Sequence, residues 1–290
     1  MRPGLLPVLI RETFGAPALP REPEPDLVMD GEEQVAAFAE AGRIDGVMAA
    51  AYLFNTARIS QCIQGCRTVV DLGCGPATQL AQIAQLNPDI QFIGVDLSPA
   101  MLASAETHLA ELGIRNVRLV ESDITRMSTI AEDSADGVIS TLALHHLPSH
   151  DHLKTCFREI ARINRPGGAI CLIDLGRLKS LKSVIFFAYM NAAHQPHIFS
   201  LDYERSLRAA FLREDFSAAA DEALPGFAVE VLNTFQIPVL LILKTADRPL
   251  PDALRKRLQT MRAALQPRYR RDLDDIRRFF RLGGLKNDPF

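Results

Sequence analysis

The sequence predicts an α/β fold: a doubly wound, seven-stranded, mainly parallel sheet of the Rossmann-like kind that ends in an antiparallel hairpin. Between residues 68 and 175, short β-branched runs such as "TVVDL" and "QFIGVDL" alternate with helical stretches such as "PAMLASAETHLAEL". This alternation indicates βαβ units with right-handed crossovers. Two further strands, "FAVEVLNTF" and "IPVLLILKT", follow each other almost directly. So short a connection permits only antiparallel pairing.

Length and composition limit the class of protein. With 290 residues and 48% apolar composition, the chain can bury one sizeable core and a modest accessory unit. The longest apolar run, "IPVLLIL", is strand-sized, and a membrane-spanning helix needs about 18 residues. No signal peptide is recognisable, so a soluble, cytoplasmic protein is expected. The five cysteines have neither paired CxxC nor Cys/His spacing, and the sequence therefore predicts no disulfide framework and no metal site.

The parts outside the strand–helix alternation differ in composition. The beginning is rich in proline and has no sustained period, which predicts a surface arm or a partly ordered linker. Helix-forming residues interrupted near Gly42 and Gly46 predict two N-terminal helices. The predicted units are the Pro-rich arm (1–31), the N-terminal helices (32–66), the sheet domain (67–247) with a helical, aromatic-rich insertion between strands five and six (176–224), and a basic helical C-terminal extension (248–290).

The C-terminal extension has a charge opposite to that of the rest of the chain. Residues 248–290 carry 12 Lys and Arg against 5 Asp and Glu, although the whole chain has a net charge of −3. Two helices joined at Pro267 are predicted. A solvated charged face is one interpretation, and docking of an acidic partner, a carrier protein or a second subunit is the other. Nucleic acid is not favoured, because the extension lacks the interleaved aromatics of a stacking platform.

The loop after the first strand, in "VVDLGCGPATQ", is a predicted ligand site. Gly73 and Gly75 let a ligand approach the backbone, and the helix that follows directs N–H groups towards it. Asp71 disfavours an anionic pyrophosphate and favours a cationic ligand. Thr78 stands where a dinucleotide-binding loop has its third glycine. Asp96 ends the second strand, where an acid accepts hydrogen bonds from ribose hydroxyls.

Five segments together carry a resemblance to a known family. "VVDLGCGPA", "GVDLSPAMLASA", "ESDI", "DGVISTLALHHLP" and "INRPGGAICLID" resemble, in this order and spacing, the class I S-adenosylmethionine-dependent methyltransferases, particularly the small-molecule group that includes ubiquinone and menaquinone methyltransferases. The resemblance covers about residues 68–245. It implies S-adenosylmethionine as the cofactor and S-adenosylhomocysteine as its product.

The resemblance also implies how the cofactor is held. The implied contacts are Asp71 and the backbone of Gly73, Cys74 and Gly75 for the methionine portion, Asp96 for the ribose, Leu97, Met101, Asp123 and Ile124 for the adenine, and Thr141 and Leu142 beneath the methionine end. For Asp96 and Asp123, the alternative to these cofactor contacts is capping of a turn or a helix.

Residues that could bind or activate a methyl acceptor follow the fourth strand and lie in the insertion. His145 and His146 are candidate bases, with packing or cofactor contact as the alternative, and His146 is expected to face the site. Methyl transfer mainly requires alignment and exclusion of water. The predicted acceptor contacts are Tyr52 in the N-terminal helices and Tyr189, His194 and Tyr203 in the insertion. The aromatic residues of the insertion could instead hold it on the sheet.

The functional hypothesis is methyl transfer to a small-molecule acceptor such as a natural product or secondary metabolite, with O-methylation ahead of N- or C-methylation. Three alternatives stay open at this point. They are N- or C-methylation of a carrier-bound or RNA substrate, an NAD-dependent oxidoreductase on the same sheet, and a non-catalytic interaction protein. Asp71 and Thr78 argue against the oxidoreductase.

Overall fold

A computed structural model describes residues 4–15, 19–25, 31–42 and 46–290. Its centre is a seven-stranded sheet in the order β3-β2-β1-β4-β5-β7-β6. Strand β7 runs antiparallel to β5 and β6, and the other pairs are parallel. The predicted sheet with its terminal hairpin is confirmed. The strands are β1 (Thr68–Leu72), β2 (Gln91–Asp96), β3 (Val117–Glu121), β4 (Ala135–Thr141), β5 (Asn164–Leu175), β6 (Glu230–Asn233) and β7 (Leu240–Lys244).

Helices cover both faces of the sheet, because its strands are apolar on both sides. In β1, Val69 belongs to one hydrophobic core and Val70 to the other, as the two-residue period of a strand requires. The described helices are α1 (Leu5–Phe14), α2 (Glu32–Ala41), α3 (Ala49–Cys62), α4 (Thr78–Leu86), α5 (Pro99–Glu111), α6 (His150–Ile163), α7 (Leu181–Tyr189), α8 (His197–Ala209), α9 (Arg213–Ala223), α10 (Asp252–Ala264) and α11 (Pro267–Leu282), with single 3₁₀ turns at Leu144–His146 and Ala192–His194.

The basic C-terminal extension is built into one of the two cores. As predicted, it forms two helices joined at Pro267. The ring of Phe280 stacks on Phe54 of α3, with centroids 5.0 Å apart and planes 10° apart. Arg277 contacts Asp274 at 2.9 Å and Asp288 at 2.8 Å. These interactions give the extension an internal role, and part of its positive charge is neutralised within it.

The segment predicted as a Pro-rich arm contains a helix that the sequence analysis did not anticipate. In α1, Leu5 and Val8 are buried in a core shared with Val184 and Phe187 of α7. Further along, the guanidinium of Arg21 donates to the carbonyl oxygens of four residues and lies 3.9 Å from the centroid of the Phe211 ring. The described parts of the arm are therefore anchored to the domain.

The insertion divides into two parts. Its first two helices, α7 and α8, pack against each other above the ends of β4 and β5. Its last helix, α9, packs on α6 instead, with the rings of Phe216 and Phe157 in edge-to-face contact at 5.7 Å. The α9 helix thus belongs to the layer that covers the sheet. Among the described residues, no helix combines the length and apolarity that crossing a membrane requires.

We expect Phe280→Ala to lower the free energy of unfolding by about 3–5 kcal/mol, because it removes a fully buried ring and leaves a cavity against Phe54. Urea unfolding followed by circular dichroism measures the change. Leu282→Ala is the matched control, since its side chain is 58% exposed and surface changes stay within about 0.5 kcal/mol. Equal stabilities for the two variants would contradict an integral role for the extension.

Candidate active site

The carboxyl ends of β1, β2 and β4 and the loops after them enclose a cavity of about 120 Å³, which we call the donor cavity. Tyr52, Thr78 and Gln79, from α3 and α4, line it as well. Every residue predicted to hold the cofactor, except Asp71, lies in its lining: Gly73, Cys74, Gly75, Asp96, Leu97, Met101, Asp123, Ile124, Thr141 and Leu142.

The glycine loop is held on the second strand by hydrogen bonds. The backbone N–H groups of Gly73 and Cys74 donate to the Val95 oxygen, and the Gly75 N–H donates to Asp96 Oδ2 at 2.7 Å. Gly73 has φ +68°, and a Cβ there would collide with the Ala143 side chain. The glycine is therefore required by backbone conformation and by close approach of the loop after β4.

Asp71 lies behind this loop at the end of β1. Its side chain is buried, and its Oδ1 has no hydrogen-bond partner among the described residues. Burial, and then the charge of Asp96, raise the pKa of Asp71 well above its usual value. A buried carboxyl without a partner is costly, and a cationic ligand would relieve that cost. The residues present therefore fit S-adenosylmethionine, which carries an ammonium and a sulfonium.

Asp96 and Asp123 both cap local turns, which was the alternative role considered for them. Asp96 Oδ1 accepts from the Ser98 N–H at 3.0 Å. Asp123 Oδ1 accepts from the N–H and the Oγ1 of Thr125, both at 2.7 Å. These bonds orient the two carboxylates at the cavity wall. Their expected contacts with ribose and adenine stay predictions.

A second cavity of about 210 Å³, which we call the acceptor cavity, lies over the ends of β4 and β5. Its wall is mainly apolar and comes from α3, α7, α8, the β6–β7 hairpin and α11. Leu142 and His146 line both cavities. The two cavities therefore meet at these side chains. The acceptor lining includes Val47, Met48, Asn55, Leu175, Phe187, Met190, Phe199, Tyr203, Ile237, Asp272, Asp275, Ile276 and Phe279.

His145 is fixed beneath this junction by Asp174, the acid in β5. The His145 Nδ1 lies 2.6 Å from Asp174 Oδ1, and Asp174 Oδ2 accepts from the Leu144 N–H at 2.7 Å. Burial opposes a charge on His145, but the charge and hydrogen bond of Asp174, helped by Glu24, outweigh it and raise the pKa of His145. Asp174 therefore stabilises the protonated form of the His145 ring by more than burial destabilises it.

The pKa of His146 is shifted in the opposite direction to that of His145. The His146 side chain is 20% exposed, and burial, followed by the charge of His145, holds the pKa of His146 well below its usual value. The His146 Nδ1 lies 3.6 Å from Glu24 Oε1, and the two histidine rings have centroids 4.3 Å apart. Adjacent groups whose pKa values are pushed apart are typical of proton-transfer sites. His146 is the one suited to accept a proton.

Glu24, His145 and His146 also form a possible ligand set for a cation. One ligand atom from each lies within 4.8 Å of the others. Hydrogen bonds within the protein already engage two of these side chains, His145 with Asp174 and Glu24 with Ser206, so the contacts of these described residues are explained without a metal. That the protein needs no metal stays a prediction.

The four predicted acceptor contacts do not come together. Tyr203 lines the acceptor cavity, whereas Tyr52 lines the donor cavity, where burial raises its pKa to about 12. Tyr189 and His194 lie outside the lining of both cavities: the Tyr189 hydroxyl donates to Glu204, and His194 is exposed on a 3₁₀ turn. Phe187 of α7 and Met190, which directly follows this helix, line the acceptor cavity instead.

Sequence reasoning missed Glu24, Asp174 and the α11 residues of the acceptor cavity. Asp174 ends the apolar run "CLID", just as Asp71 and Asp96 end theirs, and this pattern could have identified it. Glu24 lies in a segment without periodicity, and Asp275 lies on a charged helix far along the chain. Neither had a local signal.

Comparison with known proteins gives similarities mainly within the sheet domain. A family described as "Methyltransferase domain" matches residues 69–168. An uncharacterized methyltransferase of Emericella nidulans is 36% identical over 121 residues, which cover 37% of this chain and 41% of that protein. A trans-aconitate 2-methyltransferase of Deinococcus radiodurans is 38% identical over 104 residues, 36% of each chain. The chain thus spans less than half the length of these relatives.

Solved structures share the fold at low identity. A putative S-adenosylmethionine-dependent methyltransferase of Methanococcus maripaludis has a TM-score of 0.56 and 18% identity, covering 80% of this chain and 98% of that one. A plantazolicin methyltransferase in complex with a desmethyl-plantazolicin analogue and S-adenosylhomocysteine has a TM-score of 0.55 and 14% identity, covering 75% and 91%. These similarities support the fold of the sheet.

We expect Asp71→Asn to stabilise the ligand-free protein at neutral pH and to weaken S-adenosylmethionine binding about ten- to a hundredfold, the equivalent of one charge-assisted hydrogen bond. Because the folded-state pKa of Asp71 is raised, its charged form costs stability as pH rises above the unfolded value of 3.8. Thermal unfolding at several pH values and calorimetry measure the two effects. A variant with lower stability and unchanged affinity would refute this role.

We expect Asp96→Ala to weaken S-adenosylmethionine binding by about 2–3 kcal/mol, because it removes a charged acceptor for the ribose and releases the Gly75 N–H. Titration calorimetry measures the loss. Glu121→Ala is the control, since Glu121 ends the neighbouring strand but is exposed and should bind as the unmodified protein does. Unchanged affinity in Asp96→Ala would overturn the assignment of the ribose site.

Proposed function

We propose that this chain transfers a methyl group to a small, largely apolar acceptor. The proposal starts from residues 69–168, which form a class I S-adenosylmethionine-dependent methyltransferase domain. The observation that carries the proposal is the junction of the donor and acceptor cavities at Leu142 and His146. Bound S-adenosylmethionine would supply an electrophilic methyl group. The chain's own residues would hold both molecules and exclude water between them.

The lining of the acceptor cavity supports a neutral or cationic acceptor. Among its described lining residues there is no Lys or Arg, and α11 contributes Asp272 and Asp275. Asp275 lies 3.4 Å from Arg278. A polyanion such as the trans-aconitate in the name of one relative would find no Lys or Arg among the described residues of this wall. An apolar body with one reactive polar group fits the lining better.

The histidine pair supports an acceptor that loses a proton. A hydroxyl or an amine must give up its proton on methylation, and neutral His146 stands at the junction where that proton would leave. Asp174 and Glu24 raise the pKa of His145 against the effect of burial, whereas burial and then the charge of His145 lower the pKa of His146. This pairing favours O-methylation, with N-methylation as the nearest alternative. His146 would be the base, and Asp174 a positioning residue acting through His145.

An isotope-labelled methyl transfer assay tests this function. A panel of apolar phenols, amines and carboxylic acids would be offered to the full chain with labelled S-adenosylmethionine, and labelled products identified by mass spectrometry. We expect labelled phenols or amines, and methylation of a polyanionic acid at a much lower kcat/KM. Preferred methylation of polyanionic acids would contradict the proposed charge preference.

With the best acceptor, we expect His146→Ala to lower kcat about 10²–10⁴-fold, the usual contribution of a positioned base. Its residual rate should increase with pH, because a deprotonated acceptor needs no base. His194→Ala is the matched control, since His194 is exposed and lies outside both cavities. Cofactor affinity would be measured for both variants. A His146→Ala enzyme with unmodified kcat would remove the base from the mechanism.

A further inference from the structure

We propose that the outer surface of α1 and α7 binds an anionic lipid membrane, so that the acceptor cavity lies next to the bilayer. We call this surface the apolar platform and define it by Leu6, Ile10, Phe14, Leu181 and Ile185. The proposal rests on the exposure of these side chains, on the charges around them, and on the helices that they share with the cavity.

Helix α1 is apolar on the side turned to solvent. Leu6, Ile10 and Phe14 follow each other at four-residue spacing and are 51%, 53% and 83% exposed. Leu5 and Val8 on the opposite side are buried. A helix with one packed face normally has a polar outer face. Here the exposed residues of the helix are Leu6, Pro7, Ile10 and Phe14, and none carries a charge.

Helix α7 extends the platform. It packs beside α1 in a shared core, and its Leu181 and Ile185 are 45% and 40% exposed. The exposed apolar surface continues from these two helices to the β6–β7 hairpin and α11. Phe235 of the hairpin and Leu282 of α11 line one groove together with Glu12 and Lys179. Phe235 is 37% and Leu282 58% exposed. Most of the large exposed apolar side chains of the described chain thus gather at this end of the molecule.

The charges at the platform are positive. Arg11 lies on α1, Lys182 is exposed on α7, and Lys179 precedes that helix. The only acid on either helix, Glu12, is buried and accepts from the Lys179 N–H at 2.8 Å. At the edge of the groove, Arg281 next to Leu282 is 67% exposed. Apolar side chains bordered by cations match the interior and the headgroups of an anionic membrane surface.

The same charges disfavour a second copy of the chain as the occupant. A two-fold dimer through this surface would place the patch against itself. Its bordering cations would then face cations, and the buried Glu12 could not compensate for them. A bilayer with anionic headgroups neutralises these cations and also covers the exposed rings.

The inner faces of α1 and α7 connect the apolar platform with the acceptor cavity. Leu5 of α1, Phe187 of α7 and Met190, which directly follows α7, line the acceptor cavity. The two helices thus separate the cavity from the platform by a single layer. A largely apolar acceptor that partitions into lipid could pass from the bilayer into the cavity at this edge. The acceptor class is then lipid-soluble, an extension that rests on the proposed function, whereas membrane binding itself does not.

Vesicle flotation of the full chain tests the platform without cofactor or acceptor. Vesicles of phosphatidylcholine alone would be compared with vesicles of equal phosphatidylcholine and phosphatidylglycerol. We expect the chain to float with the anionic vesicles, and increasing salt to reduce binding. The double substitution Ile10→Ser with Phe14→Ser should reduce the partition coefficient about tenfold or more. Lys182→Glu should weaken binding to the anionic vesicles selectively.

Leu112→Ser is the matched control, because Leu112 is 45% exposed after α5, which packs on β2 and β3 at the opposite edge of the sheet. It should float as the unmodified chain does. Circular dichroism and S-adenosylhomocysteine binding would establish that each variant is folded. Failure of the unmodified chain to bind anionic vesicles, or equal binding by the double variant, would overturn the proposal. So would light scattering that shows a dimer separated by the double substitution.

Discussion

The buried carboxylate of Asp174 is the contact on which the candidate active site depends. It accepts hydrogen bonds from the Leu144 and His145 backbone and binds the His145 ring. These bonds fix the turn after β4, and that turn carries the residues that separate the donor and acceptor cavities. A charged carboxylate in a core is stable only when its lone pairs are satisfied, and this one is satisfied mainly by the segment that it positions.

Two distant segments are joined to the same turn. Arg21 donates to the carbonyl oxygens of His145 and Leu147, and Glu24 lies beside both histidines. Arg21 and Glu24 of the N-terminal arm thereby hold the turn between the two cavities, and α11 contributes Asp275 and Phe279 to the wall of the acceptor cavity. The sheet domain between them provides the donor cavity. The acceptor site is assembled from what surrounds that domain, so its chemistry cannot be transferred from relatives that match the domain alone.

The donor cavity illustrates a conflict between stability and function. Asp71 is buried with one oxygen that has no hydrogen-bond partner in the described part of the chain, an arrangement that lowers the stability of the ligand-free protein. Gly73 adopts a left-handed conformation in a loop pressed against Ala143, where any other residue would be strained. Residues that lower the stability of the ligand-free protein in this way are retained where binding of a ligand compensates for the loss. A cationic ligand is expected to compensate for it here, as the acid before the loop in the sequence indicated.

The sequence by itself determined the sheet, its hairpin and nearly the whole donor site. Each depends on short-range patterns: apolar runs of strand length, an acid at a strand end, and glycines within one loop. Parallel strands bring their carboxyl ends to one edge, so Asp71, Asp96 and Asp123 had to be neighbours. Only the tertiary structure decided the acceptor cavity. The rotation of α7, which turns Phe187 inward and Tyr189 aside, follows from its packing on α1 and α8. The approach of Glu24 and α11 depends on contacts between segments far apart in the chain, whose free energy no local spacing records.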